Sequence, residues 1–266
     1  MTQGRTATPS STGQGVERVA AILRALADRA GAGARLTDIA TATGLSKSTV
    51  HRLIGTLTAE GLAETDEKSG LLYLGFEMCV LGSAAANRYG LVNIGRDIMN
   101  GLEERTEDTV FLSVRAGNDA LCIDRVVGRF PIKALELNVG DRRPLGVGAG
   151  SLALLAALND EEIAGVIAQN ADRLALYPNY DPELTRKAVT RTRSEGWALN
   201  DGQVVSGMSA IGVAVRDRNN RPLAALSVAA ITERMQGDRR TALVGWMQDA
   251  ASHLGERLAR VRGDKA

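Results

Sequence analysis

The stretch Arg35-Leu-Thr-Asp-Ile-Ala-Thr-Ala-Thr-Gly44-Leu-Ser-Lys-Ser-Thr-Val-His-Arg-Leu-Ile-Gly-Thr-Leu-Thr-Ala-Glu60 decides the fold of the first part of the chain. Leu36, Ile39 and Ala40 recur at helical spacing and predict a short helix. Gly44 ends it, because glycine adopts a left-handed backbone at little cost. Ser46 is placed to cap the next helix by accepting an orphan amide. In that second helix Val50, Leu53, Ile54 and Leu57 fall at i, i+3, i+4 and i+7, one apolar stripe. Ser46, Lys47, Ser48, Thr49, His51 and Arg52 lie off the stripe and crowd the first two turns with donors suited to phosphates and base edges. This is the layout of a DNA-recognition helix. An amphipathic helix pair with a solvated polar face carries the same pattern, and the residues downstream of the pair tip the balance.

Downstream, Leu62–Thr65 and Leu71–Leu74 flank the polar loop Asp66-Glu-Lys-Ser-Gly70, which predicts a β-hairpin. A hairpin behind a recognition helix makes a winged helix-turn-helix. The tip carries Asp66 and Glu67 as well as Lys68, so the wing reads equally as a DNA contact or as a structural flap. Upstream, Val16, Val19, Ile22, Leu23 and Leu26 mark a first helix over 15–30.

The bulk properties narrow the function classes. The 266 residues suffice for two modest domains, and 44% apolar content with only 3% aromatics implies a core of Leu, Val, Ile and Ala. The net charge of +1 supplies no global field for nucleic acid, so any DNA signal is local. Cys79 and Cys122 lack metal or disulfide spacing, and His51 and His253 are the only histidines. We therefore expect no cofactor, no metal and a reducing, cytoplasmic setting. No apolar run reaches membrane-spanning length. Residues 1–14 are rich in Ser, Thr and Gly and read as a disordered tail. The glycine loop at 146–150 lacks the Lys-Ser/Thr ending of a phosphate-binding loop, and neither histidine has a nucleophilic-triad setting, so an enzyme is not expected.

Residues 76–90 predict a connecting helix, and the character changes from Leu91. Thr109–Val114 and Ala120–Val127 read as paired strands, Ile132–Leu137 as a third, and Ile211–Arg216 with Leu223–Ala229 as a second hairpin. Helices are expected from Gly146 to Leu158, over Glu161–Gln169 and Glu183–Glu195, and from Asp238 to Val261. Runs of strands and helices with hairpins imply an α+β domain with an antiparallel sheet.

The stretches Gly44-Leu-Ser-Lys-Ser-Thr-Val-His-Arg-Leu, Tyr73-Leu-Gly75, Pro144-Leu-Gly-Val-Gly-Ala-Gly150, Glu195-Gly-Trp197, Val204-Val-Ser-Gly207 and Arg221-Pro-Leu-Ala-Ala-Leu-Ser-Val228 together resemble the IclR family of bacterial transcriptional regulators. The resemblance spans nearly the whole chain. It implies a winged helix-turn-helix at 15–75, a linker helix at 76–90 and a GAF/PAS-like effector-binding domain at 91–266. It further implies a homodimer, pairing again as a dimer of dimers, on a palindromic operator, answering to a small carboxylic or aromatic effector. A repressor is the favoured reading. An activator, or a metabolite-binding protein whose winged helix serves protein contacts, remains an alternative.

Gly148, Ala149 and Gly150 precede a helix, and free amides at a helix N-terminus bind carboxylates without a basic side chain. The same glycines would also permit close helix-to-sheet packing. The resemblance places further effector contacts around Asn200, Ala210, Ser227 and Ala229. Their small, neutral character leads us to expect a roomy pocket for a bulkier or less polar ligand.

Overall fold

The computed structural model describes residues 11–29 and 31–263. The chain divides into two compact units, Met1–Arg88 and Tyr89–Ala266.

In the first unit, α1 (Ser11–Ala27), α2 (Leu36–Thr43) and α3 (Lys47–Ala59) are followed by the hairpin β1 (Ala63–Thr65) and β2 (Leu72–Leu74), then by α4 (Glu77–Tyr89). The core is Ile22 and Leu26 of α1, Ile39 of α2, and Val50, Ile54 and Leu57 of α3. α2 stops at Gly44, whose φ is 68°, in the left-handed region. Ser46 then caps α3 by accepting the Thr49 amide at 3.2 Å. β1 and β2 pair antiparallel, Ala63 opposite Leu74. Ala34 bridges Leu72 and extends the hairpin by one strand position. The expected tail falls mostly outside the described residues, and from Ser11 the chain is already helical.

The second unit begins with α5 (Leu91–Thr106), the hairpin β3 (Thr109–Ala116) and β4 (Asp119–Val126), and the short β5 (Arg142–Pro144). Four helices follow: α6 (Ala149–Ala156), α7 (Asp160–Gln169), α8 (Ala171–Leu174) and α9 (Pro182–Glu195). The chain closes with β6 (Ala198–Asp201), β7 (Met208–Arg216), β8 (Pro222–Ile231), a 3-10 turn at Thr232–Met235, and α10 (Gly237–Gly263). The strands form one antiparallel sheet in the order β5-β4-β3-β8-β7-β6.

Successive side chains on a strand point to opposite faces. Leu112, Val213 and Leu226 therefore pack on one side, against Met99 and Leu102 of α5 and Met247 and Leu254 of α10. Ala120, Ala198 and Ala225 face the other side, where Leu152 and Leu155 of α6, Ile163 and Ile167 of α7 and Val189 of α9 cover them. Small residues on this second face let α6 approach closely. A Cβ on Gly212 of β7 would lie 2.3 Å from the Ala149 carbonyl oxygen, so glycine is required there.

The strand expected at Ile132–Leu137 is not formed. That segment is irregular, with Ala134 buried and Ile132 and Leu135 exposed. Its carbonyls are taken by side chains instead of a ladder: Arg143 donates to the Glu136 oxygen at 2.7 Å and Arg125 to the Leu137 oxygen at 3.0 Å. β5, five residues further on, takes the edge position beside β4. β6 was not anticipated from the sequence.

Candidate functional site

In the first unit, α3 turns Val50, Ile54 and Leu57 inward and leaves Ser46, Lys47, Ser48, His51 and Arg52 exposed. The six expected DNA-contacting residues are not equivalent. The Ser46 hydroxyl is occupied by its cap and lies 2.8 Å from the Thr49 hydroxyl and 3.1 Å from that of Ser48. Thr49 is half-buried. These two hold the start of the helix. Lys47, His51 and Arg52 make no side-chain hydrogen bond or ion pair among the described residues, which leaves a cation at each end of the two-turn donor face. In the wing, the Asp66 carboxylate accepts from the Ser69 amide at 2.7 Å and from its hydroxyl at 2.6 Å. Those bonds, the hydroxyl's first, hold its carboxyl below the usual carboxylate range. Asp66 thus shapes the turn, a role its charge alone did not signal.

In the second unit a small cavity lies between the second sheet face and the N-terminus of α6. Gly148, Ala149 and Gly150 line it from the helix, Asn200 from β6, Ala210 from β7, and Ser227 and Ala229 from β8. All seven residues singled out from the sequence for the effector therefore converge on one space. Strand alternation explains the convergence. Ala210 pairs with Ala229 and with Asn200 across β7, so the three share a face. Ser227 sits opposite Phe111 of β3, another lining residue. The start of α6 lies close against β8, since a Cβ on Gly150 would stand 3.0 Å from the Ser227 hydroxyl.

Arg143 was missed from the sequence. It lines the cavity from β5, opposite Ala120, with its guanidinium beside the α6 N-terminus: a Cβ on Gly148 would be 3.4 Å from Arg143 Nη1 and 4.0 Å from Asn200 Nδ2. Tyr180 was missed as well. The Tyr180 hydroxyl accepts from the Gly148 amide at 3.0 Å and from Asn200 Nδ2 at 3.2 Å. Burial pushes this phenol above its ordinary range, while the Gly148 amide and the Arg143 charge pull it back. A basic residue just before Pro144 was the available sequence signal for Arg143; Tyr180, about thirty residues away in a loop, had none.

The cavity measures about 40 Å³. A water needs roughly 10–15 Å³ on this measure, so the space is a few waters in size. This is smaller than the roomy pocket expected from the sequence, and its wall mixes Arg143, Ser113 and Ser227 with the apolar Phe111, Ala210 and Ala229. Among the described residues no cluster of His, Cys, Asp and Glu could hold a metal ion, and no helix is long and apolar enough to cross a membrane.

Comparison with known proteins accounts for both units. The family model described as the IclR helix-turn-helix domain matches residues 15–67, and the one described as bacterial transcriptional regulator IclR C-terminal matches residues 83–256. The HTH-type transcriptional repressor AllR of Salmonella typhi is 26% identical over 246 residues, covering 92% of this chain and 90% of AllR. An IclR transcriptional regulator from Alicyclobacillus acidocaldarius has the same fold, with a TM-score of 0.79 at 23% identity, over 92% of this chain and 98% of that one. So does an IclR homologue from Microbacterium hydrocarbonoxydans complexed with 4-hydroxybenzoate, with a TM-score of 0.77 at 21% identity, over 92% and 99% of the two chains. A capped recognition helix with a wing, a six-stranded sensor sheet and these two family matches together place the chain in the IclR family of bacterial transcriptional regulators, a non-enzymatic family.

Proposed function

We propose that this regulator is a repressor that reads a palindromic operator with α3 of two copies and lets go when a small organic acid enters the cavity at the start of α6. The observation that carries the DNA-reading half is the face of α3. Lys47, His51 and Arg52 stand exposed and unpaired among the described residues, opposite a stripe that is buried. Arg52 is assigned a base-edge or phosphate contact, since its fork matches guanine and phosphate oxygens. Lys47, at the helix start, is assigned a backbone phosphate. A dimer spaces two such helices by ~34 Å or a multiple of it.

The effector half rests on the convergence of amides, hydroxyls and one guanidinium on a single small cavity. AllR is named a repressor, and the Microbacterium homologue was solved with an aromatic acid, both in keeping with this reading. An effector shifts the equilibrium only if it binds the DNA-competent and released arrangements with different affinity. Such a protein works in the cytoplasm, beside its operator.

The test is a gel shift on the DNA upstream of the protein's own gene. Wild type should retard it at low salt, where phosphate contacts are strongest. Arg52→Ala should bind about tenfold more weakly, roughly the loss of one good contact, with an unchanged circular dichroism spectrum. No retardation by the wild type at low salt would sink the regulator reading for this DNA-binding unit.

A further inference from the structure

Arg143 is a half-buried cation without a carboxylate partner among the described residues. Its single hydrogen bond is to a backbone carbonyl, that of Glu136, which leaves most of its five donors unused. Its strand neighbour Arg142 is exposed to solvent, whereas Arg143 turns inward with Ala120.

Two further observations bear on the same cavity. Arg143 Nη1 lies against Gly148, the residue immediately before α6, so the guanidinium and the free amides of the first helical turn face one spot. Ser113 and Ser227 are 4% and 7% exposed and line the cavity, and their hydroxyls have no hydrogen-bond partner among the described residues, although buried hydroxyls are ordinarily satisfied. The cavity wall therefore carries the Arg143 guanidinium, the α6 amides and two hydroxyls around little volume, with Glu136 on the same wall.

We propose that Arg143 is the charge-selecting residue of this cavity, closing with the α6 amides on the acid group of a short-chain carboxylate. This rests on the cavity being the effector site. Arg143 and the helix terminus converge, so they serve one acid group rather than two. A carboxylate there gains charge-assisted hydrogen bonds from both sides. Ser113 and Ser227, further along the same sheet face, answer a second polar group such as a hydroxyl on the ligand. A neutral isostere of the acid leaves the guanidinium uncompensated and is rejected.

The experiment compares glycolate with glycolamide, its neutral counterpart, by calorimetric titration of the full chain. Succinate and 4-hydroxybenzoate serve as a dianion and a bulky acid. Wild type should bind glycolate at least tenfold more tightly than glycolamide, with both larger probes weaker than glycolate. Arg143→Gln should lose at least tenfold in glycolate affinity and bring acid and amide level, whereas Arg143→Lys should keep a preference for the acid. Equal wild-type binding of acid and amide, or binding of neither with no response to succinate or 4-hydroxybenzoate, overturns the proposal. That comparison uses the unaltered chain, so it stands even if a variant folds poorly. A wild-type acid preference that survives in folded Arg143→Gln also overturns it. Operator binding without ligand separates this from the regulator reading. A wild type that prefers acid yet retards no DNA would sink the regulator reading alone.

Discussion

Gly212 shows how much of the sensor unit depends on one missing methyl. It sits on β7 opposite Ser227, directly beneath the first residue of α6. The 2.3 Å approach to a backbone oxygen cannot be relieved by a side-chain rotation. Gly245, in the exposed middle of α10, has nothing within 4 Å of its would-be Cβ. The two glycines should respond oppositely to the same change. Gly212→Ala should cost about 1–3 kcal/mol through overpacking and abolish the acid preference of the cavity. Gly245→Ala should stabilise by about 0.5–1 kcal/mol through backbone entropy. Denaturant melts of the two variants check this, and a stable Gly212→Ala protein with wild-type ligand binding would contradict it. Residue identity alone could not separate these glycines, since both stand in otherwise apolar runs. The contact that distinguishes them comes from a helix some sixty residues earlier in the chain.

At the scale of elements, helices with their own periodicity were legible and short edge strands were not. α3 carries its stripe and its donor face within thirteen residues, and its start signal, Ser46, immediately before them. The Ser46 cap should therefore be measurable by itself. Ser46→Ala should lower the stability of the DNA-binding unit by about 1 kcal/mol, whereas Ser46→Asp keeps an acceptor for the Thr49 amide and should lose little. Thermal unfolding of both variants reads this out, and an unaffected Ser46→Ala midpoint would remove the cap from the account. β5 and β6 span only three and four residues. Such runs are too short to show an alternation, and only pairing with β4 and β7 makes them strands. The opposite error occurred at Ile132–Leu137, where an alternating pattern met no free strand edge because β5 already occupied it.

At the scale of the molecule, the formal charge of +1 gives one copy of the chain little hold on DNA. On the proposed reading, operator affinity comes from pairing recognition helices. A surface suited to pairing lies around α4, where Phe76, Val80 and Leu81 are 73%, 47% and 52% exposed. Phe76 and Val80, four residues apart, stand on one side of the start of this helix, where exposed apolar groups mark a candidate contact surface. Val80→Glu should shift the protein towards monomer in light scattering and weaken operator binding by more than about tenfold, as loss of the second recognition helix implies. Retention of the wild-type mass with full affinity would place the pairing surface elsewhere.

The sequence by itself determined the winged helix-turn-helix, the α+β fold with its antiparallel hairpins, and the glycine loop at 148–150, each signalled locally by a helical stripe, a turn glycine or a hairpin loop. Asn200, Ala210, Ser227 and Ala229 were reached only through the family resemblance. Ser46 and Thr49 are taken up in capping, and Asp66 accepts within its own turn, through partners no more than three residues away. Only the tertiary structure decided which groups meet around the cavity. Arg143, Tyr180 and Asn200 meet at Gly148 because β5, the loop before α9, and β6 are brought together around the start of α6. The size and charge of the cavity follow from that closure, and closure depends on contacts far apart in the chain.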